Sequence, residues 1–377
     1  MKKRFLRDIA EIQTGPFGSQ LHKEDYVDVG TPIVTVEHLG SRVFSEQNLP
    51  MVSEADKSRL SKYVLKKGDI VFSRVGSVDR CSFVDQKHDG WMFSGRCLRV
   101  RPNEEVDSLF LYYFFCLNAT KEFVRSIAVG ATMPSINTKL LGEVEVICPE
   151  IEEQRKIADI LSKIDDKIEE NQKINNNLEQ QVSILYQSWF EDFEITNGVC
   201  PEDWSYQELS SIADIASGKR PPVKSNVCNQ ETPISIVGAA SVMGFTSEAN
   251  HTDKILVTGR VGTHGVVQRF NTPCWTSDNT LVITSPYYEF TNQILHRIDY
   301  SSMNRGSTQP LITQGDMKKV VVLVPDENTL AKFEEFAGSL MVKWEANNKE
   351  NVKLASLRDT LLPKLMSGEL DVSDIDL

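Results

Sequence analysis

The chain has 377 residues, of which 40% are hydrophobic and 25% are charged, a composition typical of globular domains. It contains no run of eighteen apolar residues and no apolar segment after its basic start, so the sequence predicts neither a membrane span nor a signal peptide. The seven cysteines are dispersed without a CxxC pair, which favours reduced thiols, a cytoplasmic location and no zinc or other metal site.

The net charge of −12 is unevenly distributed along the chain. The acidic excess lies in residues 151–197 and 326–377, whereas residues 1–150 and 198–325 are nearly neutral. Overall acidity argues against nucleic-acid binding, but neutral segments can still carry basic faces. The acidic segments are either solvated helix exteriors or surfaces that meet a partner protein.

Residues 1–149 are predicted to form an α+β domain with a small, irregular mixed sheet. Short runs rich in β-branched residues, separated by Gly, Pro and Asn, indicate strands at residues 31–39, 69–76, 96–102 and 142–149. A helical piece is predicted between them, at residues 108–116. The order of the strands in the sheet is not specified by these patterns.

A long helix is predicted from residue 151 to about residue 193. Its apolar positions follow alternating steps of four and three residues, which is a heptad seam, with Asn171 and Asn175 at its centre. Asn197-Gly198 is predicted to end this helix, and the pair Asp165-Asp166 is placed on its solvated exterior.

The sequence contains an internal duplication. Residues 302–325 repeat residues 126–149 without a gap, through a shared G-[AS]-T-x-P-x-I loop and a strand that ends in Pro. Earlier matches require shifted offsets, as loop insertions would. They pair residues 9–15 with 212–218, 31–33 with 232–234, and 69–77 with 254–263. Residues 198–325 are therefore predicted to form a second domain of the same class.

Residues 326–377 repeat the seam, with Asn347 and Asn351 at its centre and Arg358 as one charged intruder. We expect the two helices to pair with Asn171 near Asn351 and Asn175 near Asn347, so that the asparagines fix the register. The amides would also meet in parallel packing, and a two-fold relation between the halves favours the antiparallel direction. The alternative is that the asparagines are tolerated polar breaks in a long seam.

Catalytic motifs are absent from the sequence: there is no P-loop, HExxH, GxGxxG or GxSxG pattern, so no catalytic residue is predicted. Arginine, lysine, hydroxyl and amide side chains in the repeated loops suit contacts with phosphates and base edges. In the first domain the DNA-binding candidates are Arg74, Ser77, Arg80, Thr132, Asn137 and Lys139. In the second domain they are Lys219, Arg220, Lys224, Arg260, Thr263, His264, Arg269, Arg305, Thr308, Gln309 and Thr313.

Each of these residues has an alternative role as a structural turn residue, above all Thr132 and Thr308, which both copies share. Residues that differ between the copies, such as Asn137 and Thr313, are expected to be better candidates for reading different sequences.

The repeated G-x-T-x-P-x-I loop, the stretch IEEQRKIADILSKIDDKI after Pro149 and LLPKLMSGEL near the C-terminus resemble the DNA-specificity subunit of type I restriction–modification systems. The resemblance covers essentially the whole chain. It implies target-recognition domains at 1–149 and 198–325, and spacer helices at 150–197 and 326–377 that pack as an antiparallel coiled coil with a pseudo-two-fold repeat. The second helix departs from the family pattern at Asn328-Thr329-Leu330, where a glutamine-containing start is usual.

The resemblance also implies function and partners. Each domain would read one half of an asymmetric bipartite target in double-stranded DNA, and helix length would set the gap between the halves. Two methyltransferase subunits using S-adenosylmethionine and endonuclease/translocase subunits using ATP and Mg would supply the chemistry of this antiphage system, with no cofactor in this chain. The alternatives are a coiled-coil scaffold with two protein-binding heads and, disfavoured by the missing motifs, a cryptic nuclease or methyltransferase.

Overall fold

The structure is a computed structural model that describes residues 2–17, 20–303 and 311–372. The chain divides into two compact units, Met1–Asn171 with Lys349–Leu377, and Gln172–Asn348. Each unit consists of a mixed α/β head and one half of each of two long helices.

The head of the first unit contains short strands separated by loops. These strands are β1 (Lys2–Phe5), β2 (Ala10–Thr14), β3 (Tyr26–Val27), β4 (Thr31–Val34), β5 (Met51–Val52), β6 (Ile70–Ser73), β7 (Cys81–Phe83), β8 (Met92–Phe93), β9 (Cys97–Pro102) and β10 (Glu145–Cys148). Its helices are α1 (Leu6–Ile9), α2 (Glu54–Arg59), α3 (Ser108–Cys116), α4 (Asn118–Ser126) and α5 (Thr138–Gly142). The long helix α6 (Ile151–Phe190) follows.

An antiparallel sheet in the order β2-β9-β6-β7 lies beside a second sheet in the order β3-β5-β4-β8, whose β4 and β8 are parallel. The two terminal strands β1 and β10 form a separate antiparallel pair. Helix α3 begins where the Asp107 carboxylate accepts hydrogen bonds from the backbone N–H groups of Leu109 and Phe110. Its aromatic side chains fill the core between the first sheet and the long helices.

The second unit repeats this arrangement. Its strands are β11 (Ser205–Glu208), β12 (Asp214–Ser217), β13 (Ile234–Val237), β14 (Val242–Thr246), β15 (Ile255–Gly259), β16 (Gln268–Phe270), β17 (Cys274–Thr276), β18 (Thr280–Thr284) and β19 (Val321–Val324). Its helices are α7 (Tyr288–Arg297) and α8 (Gln314–Lys318), and the long helix α9 (Glu327–Ser367) follows. The sheets β12-β18-β15-β16 and β14-β13-β17 correspond to the two sheets of the first unit.

The two long helices run antiparallel in both units. In the first unit Arg358 Nη1 donates to Asp165 at 2.7 Å. In the second unit Trp344 Nε1 donates to Glu179 at 2.7 Å. Residue numbers thus fall along α9 as they rise along α6, which confirms the predicted antiparallel coiled coil and mixed α/β heads.

Three details of the sequence interpretation are wrong. Helix α6 ends at Phe190, and Asn197 and Gly198, both with positive φ, instead stop the short turn that follows it. Asp165 is buried rather than solvated, because the hydroxyl of Tyr113 and the guanidinium of Arg358 both donate to it.

The third correction concerns the match of residues 31–33 with 232–234. In the parallel pairings, Val34 faces Phe93 and Val237 faces Thr276, so the structural equivalent of Val34 is Val237. The true offset is two residues larger than the sequence match, and a shift of two leaves the inward and outward alternation of a strand unchanged. Sequence pattern alone cannot detect such a slip.

No helix in the described part of the chain is long and apolar enough to cross a membrane.

Candidate nucleic-acid interface

The two loop motifs of the first head lie side by side. The loop between β6 and β7 carries Arg74, whose backbone N–H donates to Arg96 O at 2.8 Å and whose carbonyl accepts from Ile136 N at 2.9 Å. Further along this loop Gly76, with φ of 75°, donates to Pro134 O at 2.8 Å. The RVG motif and the G-x-T-x-P-x-I motif therefore form one continuous surface.

The second head repeats two of these backbone hydrogen bonds. Arg260 N donates to Asn279 O at 2.8 Å, and Ile312 N donates to Arg260 O at 3.0 Å. Gly262 has φ of 85° and therefore adopts the same left-handed conformation as Gly76 in the first head. The duplication seen in the sequence is thus a duplication of backbone hydrogen bonds.

The repeated glycine at the end of the I-A-x-I-x-x-G motif has a steric reason. A Cβ atom on Gly15 would clash with the carbonyl oxygen of Ser94, and one on Gly218 would clash with that of Ser277. Only glycine lets these segments approach the neighbouring turn, so the shared residue builds the frame rather than reading DNA.

The arginine candidates of the first head are held by carbonyl groups of the frame. Arg74 Nη1 donates to Gly95 O at 3.0 Å, and its guanidinium lies over the ring of Phe17. Arg80 lies against Gly40 and donates to the Leu39 carbonyl. The remaining candidates with exposed side chains are Ser77, Thr132 and Lys139.

Asn137 and Thr313 occupy equivalent positions as helix caps. Asn137 Oδ1 accepts from Leu140 N at 2.9 Å at the start of α5, and Thr313 Oγ1 accepts from Asp316 N at 3.1 Å at the start of α8. Both residue types cap helices well. Capping gives both residues a structural role, and the expectation that their difference marks sequence reading remains a prediction.

The basic candidates of the second head lie in two loops. Lys219, Arg220 and Lys224 are exposed, and Arg220 faces Asp278 at 3.7 Å. In the other loop Thr263 is exposed, while His264 Nδ1 lies 3.1 Å from Gly259 O and its Nε2 is buried. The Nε of Arg260 is buried as well.

Arg269 is a clear correction. Its guanidinium forms an ion pair with Glu289 at 2.5 Å and lies over the rings of Tyr288 and Trp344. The side chain is only 11% exposed. Arg269 therefore stabilises the contact between its head and α9, and it is not available to bind DNA without breaking a buried ion pair. The candidates Arg305, Thr308 and Gln309 lie outside the described residues.

The central asparagines of the long helices pair across the helix interface. In the first unit Asn171 Nδ2 donates to Asn351 Oδ1 at 3.0 Å. In the second unit Asn347 Nδ2 donates to Asn175 Oδ1 at 2.8 Å. These are the pairs expected for antiparallel packing, and their role in fixing the register remains a prediction.

Comparison with known proteins identifies the group to which this architecture belongs. A family model described as the type I restriction modification DNA specificity domain matches residues 1–180 and 201–337. The chain belongs to this family. The two matched segments coincide with the two copies of the repeat, so the specificity domain is present twice.

Two relatives match this specificity protein over most of its length. The type I restriction enzyme MjaIX specificity subunit of Methanocaldococcus jannaschii is 26% identical, covering 98% of this chain and 93% of the relative. The type I restriction enzyme HindI specificity subunit of Haemophilus influenzae is 24% identical, covering 82% and 88%. The crystal structure of a type I restriction–modification S subunit from M. genitalium has the same fold, with a TM-score of 0.60, 19% identity and coverage of 97% and 95%.

For a DNA-specificity protein, the charge of the loop surface decides whether a phosphate backbone can approach. The carboxylate in the first RVG loop is compensated: Arg125 donates to Asp79 at 2.7 Å. Burial alone would raise the pKa of Asp79, but this hydrogen bond holds the pKa below its ordinary value. The loop therefore presents no unpaired carboxylate from Asp79 to DNA.

Sequence reasoning missed several exposed side chains on the same surface of this specificity protein. Arg96 is exposed next to Arg74, and the apolar side chains of Phe17 and Met133 are 61% and 66% exposed. Arg96 was missed because the turn that carries it shares only a serine with its counterpart in the second head. No sequence signal short of the backbone pairing would have identified it.

Proposed function

We propose that this chain is the non-catalytic sequence-recognition subunit of a type I restriction–modification complex, acting on double-stranded DNA in the cytoplasm. Residues 1–149 and 198–325 each read one half of a bipartite target. One observation carries this proposal: the heads share a frame of backbone hydrogen bonds but expose different side chains on it, as at Arg96 and Asn279. Two heads with the same backbone hydrogen bonds but different exposed side chains would bind two different half-sites, which together form an asymmetric target.

The helical segments, 150–197 and 326–377, are proposed to set the spacing between the half-sites. The helices α6 and α9 are 40 and 41 residues long, or about 60 Å each at the usual rise per residue. Each helix contributes to both units, so neither head can be displaced along a helix without breaking seam contacts. The amide pairs at the centre give this seam a preferred register.

The outer faces of the helices are proposed to dock two methyltransferase subunits. Apolar side chains that lie outside the seam and remain exposed are Ile184, Phe336, Val342, Val352 and Leu357. Exposed apolar side chains of this kind favour protein contacts. S-adenosylmethionine would enter with the methyltransferase subunits, and ATP and Mg with the endonuclease/translocase subunits.

The contact between the first head and α6 is built to stay rigid. The Arg42 guanidinium donates to Glu169 through Nε at 2.7 Å and also contacts Asp166. It makes a third hydrogen bond to the carbonyl of Ser162 at 3.4 Å. A planar guanidinium bound by two carboxylates holds orientation as well as distance, which a reader of spaced half-sites needs.

The test is to assemble the chain with its methyltransferase subunits and map the methylated adenines in exposed DNA. The expected result is one asymmetric bipartite motif with a fixed gap. Insertions of equal length in α6 and α9 are expected to change the gap and leave both half-sites unchanged. A complex that methylates without sequence preference, or whose heads bind a protein instead of DNA, would overturn the proposal.

A further inference from the structure

A four-residue turn occupies the same place in each head and is not among the sequence-predicted sites. In the first head it is closed by Cys97 N donating to Ser94 O at 2.9 Å. In the second head it is closed by Thr280 N donating to Ser277 O at 3.1 Å. The first turn connects β8, which is parallel to β4, to β9 in the sheet β2-β9-β6-β7. The second turn connects β17, which is parallel to β13, to β18 in the sheet β12-β18-β15-β16.

The surroundings of the two turns share three pairs of equivalent backbone hydrogen bonds. The first residue of each turn donates to the end of the parallel strand: Ser94 N to Val34 O at 2.8 Å, and Ser277 N to Val237 O at 3.0 Å. In the second matched pair, Gly15 N donates to Cys97 O at 3.2 Å and Gly218 N donates to Thr280 O at 3.1 Å. In the third, Arg74 N donates to Arg96 O and Arg260 N donates to Asn279 O, both at 2.8 Å.

These bonds make Arg96 and Asn279 structural equivalents at the third position of the turn. Both residues are exposed. Their backbone carbonyls are used by the frame, and within the described residues neither side chain has a hydrogen bond or an ion pair. Each side chain is therefore held at a fixed point of the loop surface by its backbone and is free to bind a ligand.

The chemistry of the two side chains differs in a way that DNA can distinguish. A guanidinium matches the O6 and N7 acceptors of guanine, and a carboxamide matches the N6 donor and N7 acceptor of adenine in the major groove. We propose that Arg96 and Asn279 read one base pair in each half-site, Arg96 a guanine and Asn279 an adenine. This inference rests on the proposed function and names its specificity-determining residues.

The second position of the turn also differs between the two heads. A Cβ atom on Gly95 would clash with the carbonyl oxygen of Pro16, so the first turn requires glycine there. In the second turn Asp278 takes this position, and its carboxylate faces Arg220 at 3.7 Å. Neither position presents an uncompensated charge that would repel a phosphate beside the reading side chain.

The test uses the full complex with its methyltransferase subunits and random-sequence duplexes, with the parent motif determined first. Arg96→Asn is expected to change or relax one position in one half-site only, with a loss of discrimination of about ten- to a hundredfold. Asn279→Arg is expected to do the same in the other half-site. Arg96→Lys keeps the charge but loses the bidentate geometry, and we expect it to lose discrimination while overall affinity changes little.

Arg59→Asn is the matched control, because it removes an exposed arginine of the same head at α2, and we expect it to leave the motif unchanged. If Arg96→Asn weakens binding equally for all sequences and lowers the salt dependence, Arg96 contacts phosphate and the inference is wrong. If both variants keep the parent motif, the inference also fails while the proposed function stands. A parent complex without any motif would overturn both.

Discussion

Both units attach a head to the antiparallel helix pair through an apolar core, but the contacts beside that core differ. In the second unit an aromatic cluster joins the elements: Phe190 on α6 lies 5.1 Å from Phe333 on α9 and 5.0 Å from Phe290 on α7, centroid to centroid. Tyr186 and Trp204 contact the same rings. These side chains belong to one buried core, so apolar burial and edge-to-face packing hold this head in place.

In the first unit ion pairs and a hydrogen bond add to the apolar core that α3 shares with the two long helices. Asp165 on α6 accepts from Arg358 on α9 at 2.7 Å and from the Tyr113 hydroxyl on α3 at 2.8 Å. Arg42 adds its bonds to Glu169 nearby. One carboxylate thus joins both long helices to the head, where the second unit uses several rings.

The repeat relates these two solutions residue by residue. The offset of the long helices places Met341 at the position of Asp165 and Val182 at the position of Arg358. Both Met341 and Val182 are buried in the core of the second unit. The seam therefore accepts either an apolar pair or an ion pair at the same point, provided that both partners are of one kind. The presence of the charged Arg358 in the apolar seam is explained by its ion pair with Asp165.

The largest effect is expected from the aromatic side of this comparison. Phe333→Ala removes a fully buried ring that contacts Tyr186, Trp189, Phe190 and Phe290, and we expect the free energy of unfolding of the second unit to fall by about 3–5 kcal/mol. Urea unfolding combined with hydrogen exchange of each unit's amides measures this loss.

Phe336→Ala is the matched control for this variant. Phe336 lies on the same helix, contacts Trp189 and is 56% exposed, so we expect a loss below about 1 kcal/mol. Equal losses for both variants would show that the aromatic cluster is not what holds the second unit together.

The next largest effect tests the charged side. Asp165→Ala leaves the Tyr113 hydroxyl and the half-buried Arg358 guanidinium without their acceptor, and we expect the first unit to lose about 2 kcal/mol. The triple variant Asp165→Met, Arg358→Val, Tyr113→Phe copies the apolar solution of the second unit. We expect its free energy of unfolding to lie within about 1 kcal/mol of the parent's.

The comparison breaks if the triple variant is as unstable as Asp165→Ala. That outcome would mean that the first unit has no room for the apolar pair and that the ion pair is required by its packing. The same urea and hydrogen-exchange measurements report both variants, and exchange in the second unit serves as the internal control.

The smallest effect concerns pH and is confined to the second unit. Burial raises the pKa of Glu334 to about 7, although the N–H groups of Phe290 and Glu289 donate to its carboxylate. Because the folded pKa lies above the ordinary 4.5, the folded state binds more protons between these values. The free energy of unfolding should therefore fall as pH rises from about 4.5 to 7, by on the order of 1 kcal/mol.

Glu334→Gln removes the titration and keeps one carbonyl oxygen as an acceptor, whereas the two N–H groups of the parent each donate to a different carboxylate oxygen. We expect this variant to lose the fall in stability of the second unit across that pH range, measured as urea midpoints at several pH values. An unchanged pH dependence would assign the titration to another group and contradict this prediction.

The sequence by itself determined the features that repeat or alternate. The heptad seam, its central asparagines, four strands and one helix of the first head, and the RVG and G-x-T-x-P-x-I motifs were read from spacing and composition. Helix α3 at Ser108–Cys116 has the predicted bounds. Such patterns are visible because they record which face of a local element is buried, and burial follows the 3.6- and 2-residue periods of the backbone.

Only the tertiary structure decided which side chains are free and which are engaged. Arg269 could not be distinguished from a surface arginine, and Arg358 was an unexplained charge in the seam, until Glu289 and Asp165 on other elements were found beside them. The equivalence of Arg96 and Asn279 was hidden for the opposite reason. Backbone hydrogen bonds define their turns, and such bonds place few demands on side-chain identity, so the two positions that we propose to read DNA leave little trace in the sequence.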